Sequence, residues 1–282
     1  MNFKTKIIKI EGKDINSFFQ NLITNDIKLL ENKQAVYSAM LTPQGKFLLD
    51  FIIIKNEGSL ILEVNDKDVC MAIELIKKYD FRNTLKVSIE SKVKTYFILF
   101  KNIPSNIKLS LKKEKILRID NSYIFLDPRK ESFFLRVWAI DFKETILPKK
   151  LMVETSKKSW NLERIKNNVP DSSLDLEKEK SFILNFGFNE LNAVSFNKGC
   201  YIGQENTSRQ NYRGNIKYLL KTIKLVSGNF PTINSVLFAN KKKIGVMKSH
   251  EEDYGLALLR SDIFEKENSI SLDDENIKFL II

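Results

Sequence analysis

Hydrophobic and polar residues alternate from Lys4 to Ile10, the period of a strand with one buried face. Asp14 then stands where a helix N-cap belongs, ahead of Ile15, Phe18, Phe19, Leu22 and Ile23, whose spacing predicts an amphipathic helix ending at Thr24-Asn25-Asp26. Extended runs at Ala35–Leu41 and Phe47–Ile54 flank the turn Thr42-Pro43-Gln44-Gly45. Leu60–Val64 is a further strand, and Asp66 to Tyr79 a second helix with Val69, Ala72, Ile73 and Ile76 on one face. Leu85–Ile89 closes a strand, helix, strands, helix, strand order, the split βαβ of a ferredoxin-like unit.

A second set of strands follows at Thr95–Phe100, Ile116–Ile119, Tyr123–Leu126 and Phe133–Ile140, with helical patterns around Phe142–Leu151 and Ser159–Asn167. It repeats the first unit in architecture and not in sequence. Asp171–Lys180 is polar and acidic and reads as an exposed connection. From Ile216 the pattern shortens to strands at Lys217–Val226, Val236–Ala239, Lys243–Lys248, Tyr254–Leu259 and Ile277–Ile281, which suggests a small barrel. The expected fold is α+β. Ferredoxin-like subdomains of about 1–92 and 93–215 form one domain, and a β-barrel domain covers 216–282.

Composition narrows the chemistry. The 282 residues include a single histidine, His250, which excludes a site of several imidazoles and which reads as an exposed loop residue. Cys70 and Cys200 are too few and too far apart for C-x-x-C zinc or the four thiolates of an iron–sulfur cluster. No two glycines are close enough to write G-x-G-x-x-G or a Walker loop. No apolar h-region follows Met1 and no apolar run reaches membrane-spanning length, so the expectation is a soluble, cytoplasmic, monomeric protein without membrane contact. The net charge of +11 comes mainly from evenly spread lysine, a solvated surface more than a nucleic-acid footprint.

The segment richest in chemistry runs from Phe196 to Gly214. Within it Gly199 and Gly203 allow positive φ or close backbone approach on either side of Cys200, and Gln204–Asn211 can begin a helix behind it. A thiol beside Lys198 and a helix N-terminus ionises more readily than a free one; the other reading is a small residue in a tight turn. Cys70, on the face of the second helix, reads as core.

Lys198-Gly199-Cys200-Tyr201-Ile202-Gly203-Gln204-Glu205 resembles the K-G-C-[FY]-x-G-Q-E signature of the YgfZ family, folate-binding proteins whose mitochondrial relatives serve late iron–sulfur cluster assembly. Leu191-Asn192-Ala193-Val194-Ser195-Phe196, Ser208-Arg209 and Tyr212-Arg213-Gly214 extend the likeness. So does Phe18-Phe19-Gln20-Asn21-Leu22-Ile23-Thr24-Asn25-Asp26-Ile27, which is similar to a run shared with the glycine-cleavage T-protein, and Asp127-Pro128-Arg129 is a further landmark. Arg129 itself is read either as an anion partner or as half of a structural salt bridge.

The resemblance implies a T-protein-like fold that binds tetrahydrofolate and acts with iron–sulfur enzymes, including tRNA-thiolating ones, or with cluster-assembly proteins. Cys200 would be the key thiol, framed by Lys198, Gly199, Tyr201, Gly203, Gln204 and Glu205. Asn25, Asp50, Trp160 and Arg209 fall at the folate positions, Trp160 either stacking on the pterin or packing in the core. Three positions depart from the T-protein. Leu49 replaces one carboxylate of its Asp-Asp pair, Lys166 replaces its pterin-reading acid, and Asn168 stands near Pro170 where glycine is usual. These departures argue against aminomethyl transfer, the alternative activity.

Overall fold

The computed structural model describes residues 5–32, 34–119, 122–130, 132–140, 156–214, 216–264, 269–273 and 276–282. The helical pattern expected at Phe142–Leu151 lies outside the described residues. Two compact units are present: Met1–Pro43 with Leu48–Ser156 and Asn189–Gln204, and Gln44–Phe47 with Lys157–Phe188 and Glu205–Ile282. Among the described residues no helix is long and apolar enough to cross a membrane.

In the first unit, β1 (Thr5–Gly12), α1 (Ile15–Leu22), β2 (Val36–Leu41), β3 (Phe47–Asn56), β4 (Ser59–Asn65), α2 (Val69–Tyr79) and β5 (Leu85–Ile89) build a sheet of order β2-β3-β4-β1-β5. Strand β1 runs antiparallel to both neighbours, Ile8 facing Leu62 on one side and Ile89 on the other. Removing the edge strand β2 leaves the ferredoxin-like order that the sequence pattern predicts. Phe19 and Leu22 of α1 and Val69, Ala72 and Ile76 of α2 pack with Ile8, Ile10, Leu49, Phe51, Leu60 and Leu62 in one core. Period-two alternation turns Glu63 of β4 and Asp50 of β3 to the opposite face of that sheet.

The second sheet contains β6 (Val93–Leu99), β7 (Ile116–Ile119), β8 (Ser122–Leu126) and β9 (Phe134–Ile140), in the order β6-β9-β8-β7, with α3 (Ser105–Glu114) between β6 and β7. That repeats β1-β4-β3-β2 with α1 between β1 and β2, so the two sheets share the architecture that the strand pattern suggests without a repeat in sequence. Leu111 of α3 packs on Ile98, Ile124, Leu135 and Val137.

The second unit holds α4 (Lys157–Lys166), α5 (Ser172–Asp175), α6 (Gln204–Arg213), β10 (Tyr218–Ser227), β11 (Val236–Ala239), β12 (Lys242–Glu251), β13 (Tyr254–Arg260), α7 (Ser261–Phe264), β14 (Ser269–Ser271) and β15 (Lys278–Ile281). Its strands form an antiparallel sheet of order β11-β12-β13-β10-β15-β14 around Ile223, Leu237, Met247, Leu259 and Phe279.

Several local expectations change. Asp14 does not cap α1 with its side chain; it sits at φ 58 and its carbonyl accepts the Phe18 N–H. Cys70 is exposed on α2 and not core. His250 lies on β12 and not in a loop, its ring stacked on Phe230 at 4.8 Å. Asp171–Lys180 is only half an exposed connection, because Asp175 is fully buried and Leu176 nearly so. Residues 157–188 group with the barrel strands, so the units do not divide at 215/216. The reason is chemical: the Arg164 guanidinium of α4 reaches Asp175 at 3.0 Å and the Ser249 hydroxyl of β12 at 2.8 Å.

Candidate functional site

Two sequence motifs about 170 positions apart meet in the first unit. The C-terminal end of α1 leaves backbone carbonyls without intrahelical donors. Lys198 supplies them: its ammonium donates to the Ile23 carbonyl at 2.8 Å and to the Asn25 carbonyl at 2.7 Å. The loop is fastened on both sides of that contact. Ser195 N–H donates to the Thr24 carbonyl, Ile202 N–H to the Asn21 carbonyl, and the Thr24 hydroxyl to the Ala193 carbonyl at 2.7 Å. The segment 193–202 therefore lies along the Thr24-Asn25-Asp26 turn as a fixed strap.

Asn25 is part of this fastening. Its side-chain amide donates to the Tyr37 carbonyl at 2.8 Å and the Asn192 carbonyl at 2.6 Å, its oxygen accepts the Asp26 N–H, and only 5% of the residue is exposed. Burial pulls the Lys198 ammonium down to about 8 against the partial support of Asp26. Its charge sits 5.0 Å from the centre of the buried Tyr201 ring. Lys198 thus serves as a clamp on α1, where the sequence reading cast it as the electrostatic neighbour of the thiol.

Cys200 projects from this strap as an exposed free thiol. Gly203 has the expected positive φ, 82°, and the Gln204 N–H closes the turn on the Tyr201 carbonyl at 3.2 Å. Gly199 departs from expectation. It has no positive φ, and a Cβ placed there would meet nothing within 4 Å. Among the described residues no group of three His, Cys, Asp or Glu side chains is placed to hold a metal ion.

The sequence reading missed a buried charge network in the same unit. Trp138 Nε1–H and Arg136 Nη1–H both donate to Glu63 Oε2, at 2.6 and 2.7 Å. Arg136 Nε–H also reaches Asp127, which accepts a two-pronged pair from Arg129 at 2.9 and 2.8 Å. Burial alone would raise the Asp127 carboxyl, but the guanidinium groups of Arg129 and Arg136 outweigh it and hold it well below the usual carboxylate range. Asp127-Pro128-Arg129 is thereby a structural salt bridge. Nearby, the Tyr37 hydroxyl donates to Asp50 at 2.6 Å, and burial followed by the Asp50 charge pushes that phenol well up. The available signal was one acid, Glu63, inside the apolar run Leu60–Val64.

In the second unit Trp160 is 8% exposed, and the buried Arg164 guanidinium stands 5.5 Å from its ring. Arg209 is exposed on α6 and pairs with Glu205 one turn earlier. Asn168 takes φ 55, a left-handed position that asparagine tolerates, so the glycine usual there is not required. Lys166 is exposed with its ammonium over the Tyr254 ring at 4.6 Å. Leu49 is fully buried in the core beside α1. Of the residues matched to tetrahydrofolate, Asn25 has spent its amide on backbone and Trp160 is buried, so neither presents a face to it as it stands, while Asp50 accepts the Tyr37 hydroxyl and Arg209 stays exposed in a solvated pair with Glu205.

Comparison with known proteins agrees with this architecture. Residues 219–281 match the family model described as CAF17, C-terminal beta-barrel domain. The fold is that of the glycine cleavage system aminomethyltransferase T from Bartonella henselae, which superposes with a TM-score of 0.75 over 99% of this chain and 82% of that one at 15% identity. By sequence, the mitochondrial iron-sulfur cluster assembly factor IBA57 homolog of Dictyostelium discoideum is 25% identical over 96% of this chain and 77% of its own length. The human mitochondrial factor IBA57 is 26% identical over 91% and 75%. A relative of the same description in Neurospora crassa aligns over 81% of this chain and 54% of its own. These relatives are mitochondrial by name, which overturns the expectation of a cytoplasmic location.

Proposed function

We propose that this chain is an accessory protein of iron–sulfur cluster assembly and that Cys200 is the thiol through which it meets a cluster. The observation that carries this reading is the exposed Cys200 on a strap whose backbone and Lys198 are pinned to the Thr24-Asn25-Asp26 turn. Similarity to the IBA57 assembly factors across most of the chain supports the same process. One thiolate cannot hold a cluster that needs four ligands, so the remaining ligands come from a partner protein or from small thiols. The clients we propose are cluster-dependent enzymes, those that thiolate tRNA among them.

Aminomethyl transfer is the weaker reading. The position of the second carboxylate holds a leucine that packs in the core, and the position of the pterin-reading acid holds an exposed cation. No step is derived through folate.

The test is replacement of the chromosomal copy by Cys200→Ser. The expected result is loss of activity of a [4Fe–4S] dehydratase in cells, with the purified variant melting as the parent does. Normal dehydratase activity in that strain would remove the thiol from the function.

A further inference from the structure

The sheet of the first unit ends on β5, and among the described residues no strand lies beyond it. Strand β1 covers one side of β5: the Glu90 N–H donates to the Ile7 carbonyl at 2.8 Å, and the antiparallel register runs on from Ile8 opposite Ile89 to Gly12 opposite Leu85. Backbone groups of Lys86, Ser88 and Glu90 therefore point to β1, and those of Leu85, Val87 and Ile89 point out of the sheet. The chain itself caps two of the outward groups. Asp80 Oδ2 accepts the Leu85 N–H at 2.8 Å, and the Ile89 carbonyl accepts the Ser91 N–H at 3.1 Å. Four are left without a partner among the described residues: the Leu85 carbonyl, both groups of Val87 and the Ile89 N–H. Apolar surface accompanies them. Ile89 is 47% exposed, and Phe81, in the turn that leads into the strand, is 86% exposed.

The open groups are symmetric about Val87. A second β5, laid antiparallel on the first by a two-fold axis at Val87, satisfies all of them in both copies. The two Val87 residues exchange their N–H and carbonyl bonds, and each Ile89 N–H meets the Leu85 carbonyl of the second copy. Side chains agree with this register. Val87 stands against Val87 and Ile89 against Leu85, so the exposed isoleucine gains an apolar neighbour across the strands. On the other face Lys86 stands opposite Ser88 of the second copy, with Glu90 of that copy one diagonal away, and no like charges are directly opposed. We infer that two copies of this chain associate through β5, continuing the sheet of the first unit across a two-fold axis. Such a contact uses up the open edge of each copy, so association stops at two. The interface is short, and the dimer it makes is a weak one. This inference goes beyond the function proposed above, is independent of Cys200, and replaces the monomer expected from the sequence.

The test is sedimentation velocity on the purified full chain over a concentration series reaching millimolar protein, with amide hydrogen exchange followed by NMR. The parent is expected to pass from monomer to dimer and no further. Over the same series the Val87 and Ile89 amides should slow, while those of Lys86, Ser88 and Glu90, already bonded to β1, keep their rates. Val87→Pro removes an outward donor and leaves the ladder to β1 whole, because proline is tolerated where the N–H faces out of an edge strand. It is expected to melt as the parent does and to weaken dimerisation about tenfold or more, equivalent to about 1.4 kcal/mol. Ile89→Lys, at an exposed position, is expected to weaken it similarly and keeps the test decisive if the proline variant fails to fold. A parent that stays monomeric at millimolar concentration overturns the inference, including the case in which a strand of another protein occupies the edge. A dimer that the folded variants leave at parent affinity, or a series that grows past two, places the contact elsewhere and overturns it as well.

Discussion

Cys70 and Cys200 are both exposed, which removes the contrast in burial that helix periodicity implied. Both thiols are therefore expected to react with iodoacetamide in the native protein. Cys70→Ser should change stability by no more than about 0.5 kcal/mol, as surface substitutions do. A cost several times larger in urea unfolding would show that Cys70 supports the packing of α2. Glu63 is the opposite case. It is 4% exposed, and its Oε2 receives both Arg136 and Trp138 while Oε1 is buried with no hydrogen-bond partner among the described residues. Removing the carboxylate in Glu63→Ala leaves Arg136 with Asp127 alone among its paired acids, and losing one partner of a buried pair costs about 3–5 kcal/mol. Equilibrium denaturation would measure it. A shift near zero would mean that the network is energetically slack.

At the scale of elements, the strap along α1 answers to Lys198. Replacing it in Lys198→Met strips donors from the Ile23 and Asn25 carbonyls, so the Ser195 and Ile202 amides, which bond Thr24 and Asn21, should exchange hydrogen faster in the variant. Equal exchange would show that the backbone bonds suffice. The pH dependence has a definite sign. The amine titrates at about 8 in the folded protein against 10.5 when unperturbed, so between those values the unfolded chain binds a proton that the folded chain does not. Stability of the parent relative to Lys198→Met should therefore rise as pH increases from 8 to 10.5. A falling difference in thermal melts would contradict the burial of that amine.

In the second unit, the pair of Arg164 and Asp175 ties α4 and α5 to β12, with Asp175 also accepting the Ser249 N–H at 2.9 Å. Asp175→Ala is expected to destabilise that unit by about 3–5 kcal/mol, since it leaves a fully buried guanidinium unpaired. Urea unfolding followed by tryptophan fluorescence checks it, Trp160 lying on α4 with Arg164.

For the molecule as a whole, a T-protein-like fold does not bring T-protein chemistry with it. Incubated with an aminomethyl-lipoyl carrier protein and tetrahydrofolate, the purified chain should release no ammonia at T-protein-like rates. Release at such rates would restore the transferase reading. Restoring the missing acid is no route back, because Leu49→Asp would place an unpaired carboxylate in the core formed with α1 and α2.

Much of this architecture was legible in the order of residues. Period-two and period-3.6 patterning located α1, α2 and the strands around them, because each element buries one face and the pattern is that face written out. The glycine-flanked cysteine was equally visible as the segment to watch. What the linear order left open is what depends on partners distant in the chain. Whether Lys198 faces the thiol or the end of α1, whether Asn25 and Trp160 look outward or inward, and whether an acid such as Asp175 is solvated or buried against Arg164 are settled only when other segments supply the carbonyls, rings and counter-charges. Those contacts join residues more than a hundred positions apart or on separate elements, and no local periodicity encodes them.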